Sequence, residues 1–166
     1  MATRRITLRL NRERLLYDIQ NYAYIEAQTV GADTPERKAL TFDICQDDNV
    51  ARVNRTLSIA HGEIMELLLP YSRSELPDEV VIDNSCRTPS EYVCALNVPS
   101  TISGTSIHLL AKLAHEYMVC RALADWFLMS KPEASQQWEL RGVAATEAMS
   151  EAKNFRGVMT RPLSVF

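Results

Sequence analysis

The sequence predicts a mainly α single domain, a helical bundle of four to five helices around one long central helix, with a small β-hairpin arm. Three observations lead there. The stretch Ser103–Ser130, SGTSIHLLAKLAHEYMVCRALADWFLMS, has no proline and no glycine beyond Gly104, and at ~1.5 Å of rise per residue it makes a helix on the order of 40 Å long. It is apolar on almost every side. His108, Lys112, His115 and Glu116 share one face and Arg121 and Asp125 lie roughly opposite, so the polar stripe changes sides between Tyr117 and Cys120. That pattern suits a helix in the middle of a bundle, with different neighbours along its two halves. Second, Val50, Val53, Leu57, Ala60, Ile64 and Leu67 recur at alternating spacings of three and four, the cleanest periodicity in the chain. Third, 5 glycines among 166 residues, with 46% apolar and 23% charged residues, argue against a loop-rich β architecture.

Taken in order, residues 1–10 form an N-terminal strand or arm, in which Ile6, Leu8 and Leu10 alternate with Thr7 and Arg9. Residues 11–70 are helical. Asn11 is placed to cap a first helix over about Arg12–Gln28, with Leu15, Leu16, Ile19, Tyr22 and Ala23 on its inner stripe. Thr34, Pro35 and Glu36 carry the cap, first-turn proline and dipole signals of a short second helix to about Cys45, with Leu40 and Ile44 inward. Asp47, Asp48 and Asn49 open the periodic helix, which Pro70 ends; Gly62 within it is either a propensity cost or a close approach of another backbone. Residues 71–102 change character. Pro77, Pro89 and Pro99 exclude a regular helix, and the β-prone runs Val80–Ile82 and Tyr92–Leu96 predict a hairpin with Asn84–Ser90 at its tip. A two-stranded ribbon is marginal alone in water, so this acidic arm is expected to lean on the helices or on another chain. Residues 103–157 hold the central helix and a last one that restarts at Pro132, presents Trp138, Ala145, Ala148, Met149, Ala152 and Phe155 inward, and stops at Gly157. The apolar tail, 158–166, is expected to dock on its own bundle or on a partner.

Composition excludes more than it assigns. A chain of this length buries about two thirds of its unfolded surface and needs no disulfide or metal staple. The net charge of -3 makes no general case for nucleic-acid binding, although five arginines fall within the first 14 residues. Cys45, Cys86, Cys94 and Cys120 form no CxxC pair, and no secretory h-region follows the N-terminus; a soluble protein of the reducing cytoplasm is expected.

Candidate chemistry is sparse, and neither an enzyme nor a cofactor is expected. His115 and Glu116 match the first half of the zinc-protease HExxH pattern, but Val119 stands where the second histidine belongs. His108 shares their face two turns away, roughly 10 Å, too far to reach the same ion. Cys120 fits a small buried hydrophobe, and no GxSxG, P-loop or GxGxxG occurs. Arg121 and Asp125, one turn apart on the otherwise apolar side, are expected to be buried in the bundle or in a subunit interface. Removing one partner would then cost about 3 to 5 kcal/mol, against ~0.3 to 0.5 kcal/mol for an exposed pair.

Three stretches carry a family resemblance. They are Ala60, Glu63, Ile64, Leu67, Pro70 and Tyr71 in AHGEIMELLLPY; Leu110, Leu113, Ala114, Tyr117 and Arg121 in LLAKLAHEYMVCR; and Trp138, Ala145, Ala148, Ala152 and Gly157 in the last helix. On these the chain, from Val50 to Gly157, resembles the small helical head-to-tail connector, or adaptor, proteins of tailed bacteriophages and prophages. The resemblance implies a compact bundle whose arm reaches neighbouring subunits, and copies assembled as a ring between portal and tail. It implies protein partners, a virion location and no sequence-specific nucleic-acid or membrane binding. The first 46 residues depart from the shortest members. Candidate subunit or partner contacts are Arg121, Asp125, Asp83, Arg87, Val165 and Phe166. The alternatives are a bacterial helical interaction or scaffold module with no virion role, and a small hydrolase using His115 and Glu116.

Overall fold

In the computed structural model, described over residues 3–29, 43–46, 49–72 and 88–154, the chain is the expected helical bundle with a small antiparallel ribbon. The ribbon comes first. Strand β1 (Thr3–Asn11) buries Leu8 and Leu10 and exposes Arg5, Thr7 and Arg9. Helix α1 (Arg12–Thr29) follows without a loop, and the Asn11 side chain accepts the Arg14 backbone N–H at 3.1 Å, the expected cap. Leu15, Ile19, Ala23 and Ala27, each four residues apart, form its buried stripe. The predicted helix after Thr34 lies outside the described residues except for a 3-10 turn, Asp43–Cys45, whose Ile44 is fully buried.

Helix α2 (Val50–Leu67) buries Val53, Thr56, Leu57, Ala60 and Ile64, as its periodicity requires. Two details stand out at its ends. Asn49 makes no side-chain cap; its amide donates instead to the Asp43 carbonyl at 2.9 Å and ties the 3-10 turn to the helix start. The helix also stops before Pro70, closing at Leu68. The proline lies in the first turn of a one-turn helix, α3 (Leu69–Ser72), where its missing N–H forfeits nothing. Gly62 is exposed, and a Cβ there would meet nothing within 4 Å, so no backbone approaches it and only the propensity cost of about 1 kcal/mol remains.

Strand β2 (Glu91–Pro99) alternates strictly, with Tyr92, Cys94, Leu96 and Val98 buried. Its partner is β1, antiparallel, in a register that sets Leu8 against Cys94 and Arg9 against Val93. The expected companion Val80–Ile82 and most of the expected tip lie outside the described residues. The inner faces of both strands join the helical core, which is how a two-stranded sheet escapes marginal stability.

Helix α4 (Gly104–Phe127) begins at a Ser103 cap whose hydroxyl accepts the Thr105 N–H at 3.2 Å. It packs against α5, α2, α1 and β1, which makes it the axis of the domain. Its first half buries one stripe, Ser106, Leu110, Ala114 and Met118. Beyond that it is buried on most sides, through Val119, Cys120, Ala122, Leu123, Ala124 and Phe127. Helix α5 (Pro132–Asn154) returns along it, burying Trp138, Gly142, Ala145, Met149 and Ala152. The Ser135 hydroxyl donates to the Ala124 carbonyl at 2.8 Å, which sets where α5 begins to run beside α4. Phe155, Gly157 and the tail lie outside the described residues.

Side chains also close helix ends at a distance. Lys131 Nζ donates to the Glu26 carbonyl in the last turn of α1, at 3.0 Å. Lys153 Nζ donates to the Leu67 carbonyl at the end of α2 at 2.9 Å, while the Tyr71 hydroxyl donates to the Lys153 carbonyl at 2.9 Å.

Candidate functional site

Where α2, α4 and α5 meet, a cleft of about 280 Å³ opens, with Glu63 on one wall, Tyr117 and Arg121 on the second, and Trp138, Gly142 and Val143 on the third. A Cβ added at Gly142 would stand 3.5 Å from the Cys120 Cβ and 3.8 Å from the Tyr117 ring, ordinary contact distances, so this wall has room for an alanine. Across the cleft the Tyr117 hydroxyl donates to Glu63 at 2.5 Å, and Arg121 Nε lies 3.5 Å from the same carboxylate oxygen. Burial, and then the Glu63 carboxylate, push the Tyr117 phenol up to about 12, so at neutral pH it is a neutral donor that holds Glu63. The group is an interhelical lock with an open, half-wet side.

A second lock lies further along α4. Arg52 Nε of α2 donates to the Asp125 carboxylate at 3.1 Å and its Nη2 to the Asp125 carbonyl at 2.9 Å, with the Thr56 hydroxyl on the same carboxylate at 3.3 Å. Arg121 and Asp125 therefore each reach across to α2. Of the two expected settings, burial within the bundle does not hold: the Arg121 side chain is 43% exposed and that of Asp125 32% exposed in the single chain. A turn of helix puts both on one side of α4, and that side faces α2, whose Glu63 and Arg52 offer better-placed opposite charges. Arg121→Ala is accordingly expected to cost less than about 1 kcal/mol in urea unfolding; a loss above about 2 kcal/mol would require a desolvated pair.

His115 and Glu116 are not brought together with the cleft. His115 Nε2 contacts Asp18 of α1 at 2.8 Å, and Glu116 takes the Arg141 guanidinium, which also stacks 5.0 Å from the Trp138 ring centroid. His108 is exposed, and among the described residues no three metal-ligating side chains cluster. The Cys94 thiol lies 3.5 Å from His61 Nε2, but burial pushes the thiol up to about 11 and lowers the histidine. A thiolate–imidazolium pair needs the opposite shifts. Burial likewise raises Cys45 to about 11 and Cys120 to about 12, the Glu116 carboxylate adding to the latter.

Asp83, Arg87, Val165 and Phe166 lie outside the described residues. Sequence reasoning missed the Tyr117–Glu63 bond and the Arg52–Asp125 contact, because no spacing rule states which α2 residue will stand opposite a given α4 residue. Glu63, Tyr117 and Arg121 nevertheless come from two of the stretches that carry the family resemblance, and here they meet. Comparison of the chain with protein-family models, with curated proteins and with solved structures gives no match.

Proposed function

We propose that this chain is a structural head-to-tail connector of a phage or prophage particle, copies of which assemble as a ring between portal and tail. The observation that carries the reading is the convergence of Glu63, Tyr117 and Arg121, singled out from separate stretches, into one lock between α2 and α4. A second feature supports it. The turn from α4 to α5 and α5 itself expose Leu128, Met129 and Leu140, with Met129 84% and Leu140 70% exposed. Exposed apolar side chains there and exposed arginines on β1 are chemically unlike surfaces, the kind of pairing that head-to-tail ring contacts use. The role is structural, with protein partners, and no cofactor enters it.

The test is reconstitution. The chain, mixed with portal rings encoded beside it, should co-sediment with them and appear as a ring of density below the portal by electron microscopy. Met129→Asp combined with Leu140→Asp should abolish that binding while leaving the melting temperature unchanged. A chain that ignores the portal, or a gene that sits in a metabolic operon, favours the helical interaction or scaffold module and sinks the connector.

A further inference from the structure

The face of the ribbon turned away from the core is a row of cations and neutral hydrogen-bonding groups. Strand alternation puts Arg5, Thr7 and Arg9 of β1 on that face, and all three are exposed. The register sets Asn97, Ala95 and Val93 of β2 directly beside them, each exposed and none charged. Two residues along a strand span about 6.7 Å, so side chains in the row follow one another at that pitch. The opposite faces of both strands are held in the helical core through Leu8, Leu10, Cys94 and Leu96. The row is therefore presented on a backbone that the core keeps in place.

Its charge is also largely unspent. Arg52, Arg121 and Arg141 each lie within an ion pair that joins two helices. Among the described residues Arg5 meets no acid, and Arg9 has only Glu91 at 3.8 Å, with its own side chain 70% exposed. Glu91 is the only acid in either strand. In a chain of net charge -3 this face is a local exception, a cationic strip with no carboxylate opposite either Arg5 or Arg9.

The residue types say which anion suits it. The planar guanidinium fork matches the oxygens of a phosphate, and threonine hydroxyls and asparagine amides are common phosphate donors. The row has no aromatic side chain to stack on a base or to anchor a protein partner, and interfaces between proteins draw most of their energy from such anchors. What it offers is charge and hydrogen bonds repeated at an even pitch, which a sugar-phosphate backbone accepts whatever its sequence. We propose that the outer face of the β1–β2 ribbon is a sequence-independent contact for the phosphate backbone of duplex DNA. With two arginines the contact is weak in a single copy, and the logarithm of its affinity falls with the logarithm of salt concentration at a slope of about -2. The inference goes beyond the connector reading and does not depend on it.

The experiment titrates the isotope-labelled full-length chain with a short DNA duplex in low salt and follows the backbone amide signals. Shifts confined to β1 and β2 and centred on Arg5, Thr7, Arg9 and Asn97 are expected, the same for a second duplex of unrelated sequence. Arg5→Glu with Arg9→Glu should weaken binding about tenfold or more and flatten the salt dependence, whereas Arg5→Lys with Arg9→Lys should keep most of both. Arg5 and Arg9 are exposed, so melting curves of these variants should match the parent. The proposal is overturned if no signal moves, if the shifts centre on another face, or if charge reversal leaves the affinity unchanged. It is equally overturned if a glutamate-rich peptide occupies the same residues more tightly than the duplex does, which would give the row to an acidic protein instead.

Discussion

Phe127→Ala is expected to lower the unfolding free energy by about 3 to 5 kcal/mol, enough to leave the domain marginal at 37 °C. Phe127 is fully buried at the end of α4, where the helix is enclosed on most sides. Truncation removes the transfer energy of the ring and leaves a hole that cannot readily collapse. Its backbone carbonyl is tied to the Lys131 N–H at 2.8 Å, and Ser135 fixes α5 against Ala124 one turn earlier. Urea unfolding should show the midpoint falling with an unchanged slope. Met129→Ala, two residues on and almost fully exposed, should stay within about 0.5 kcal/mol of the parent. Equal losses at the two positions would mean that the helix turns its other side inward.

The second large effect belongs to the ribbon and reads its register directly. Leu8→Asp should cost about 4 kcal/mol or more, because it deletes a buried aliphatic side chain and puts an unpaired carboxylate in its place. Thr7→Asp, one residue away, should be neutral or slightly stabilising. Its side chain points to solvent on the face that carries Arg5 and Arg9. Side chains alternate with a period of two, so a one-residue slip would exchange the two outcomes. Thermal melts of the pair at neutral pH decide it.

How much of this could be read beforehand depends on the range of the interaction. The inner stripe of α2 and the extent of α4 were legible because a stripe of aliphatic residues, a run without proline and a restarting Pro132 are signals within a few residues of where they act. The β-prone character of Tyr92–Leu96 was legible for the same reason. Its partner was not: local spacing favours the neighbouring Val80–Ile82, whereas the strand found beside it is Thr3–Asn11, from the far end of the chain. Arg121 and Asp125 show the same limit at the candidate site. Their spacing of four placed them on one side of α4, but only the packing of α2 brings Glu63 and Arg52 to meet them. Asn49 opens α2 as its type suggests, but no local rule shows that its amide goes to the Asp43 carbonyl.

The exchange between Lys153 and the end of α2 bears on how this molecule would carry a load. Lys153 gives its ammonium to the Leu67 carbonyl and its own carbonyl to the Tyr71 hydroxyl, so the last turn of α5 is riveted sideways to the place where α2 ends. Traction applied to whatever follows Asn154 would not peel α5 from its terminus one turn at a time. It would meet two hydrogen bonds in shear and pass into α2, and from there through Glu63 and Arg52 into the shaft of α4. In the proposed connector role, tension would pass across the width of the molecule in this way rather than unravel it from one end.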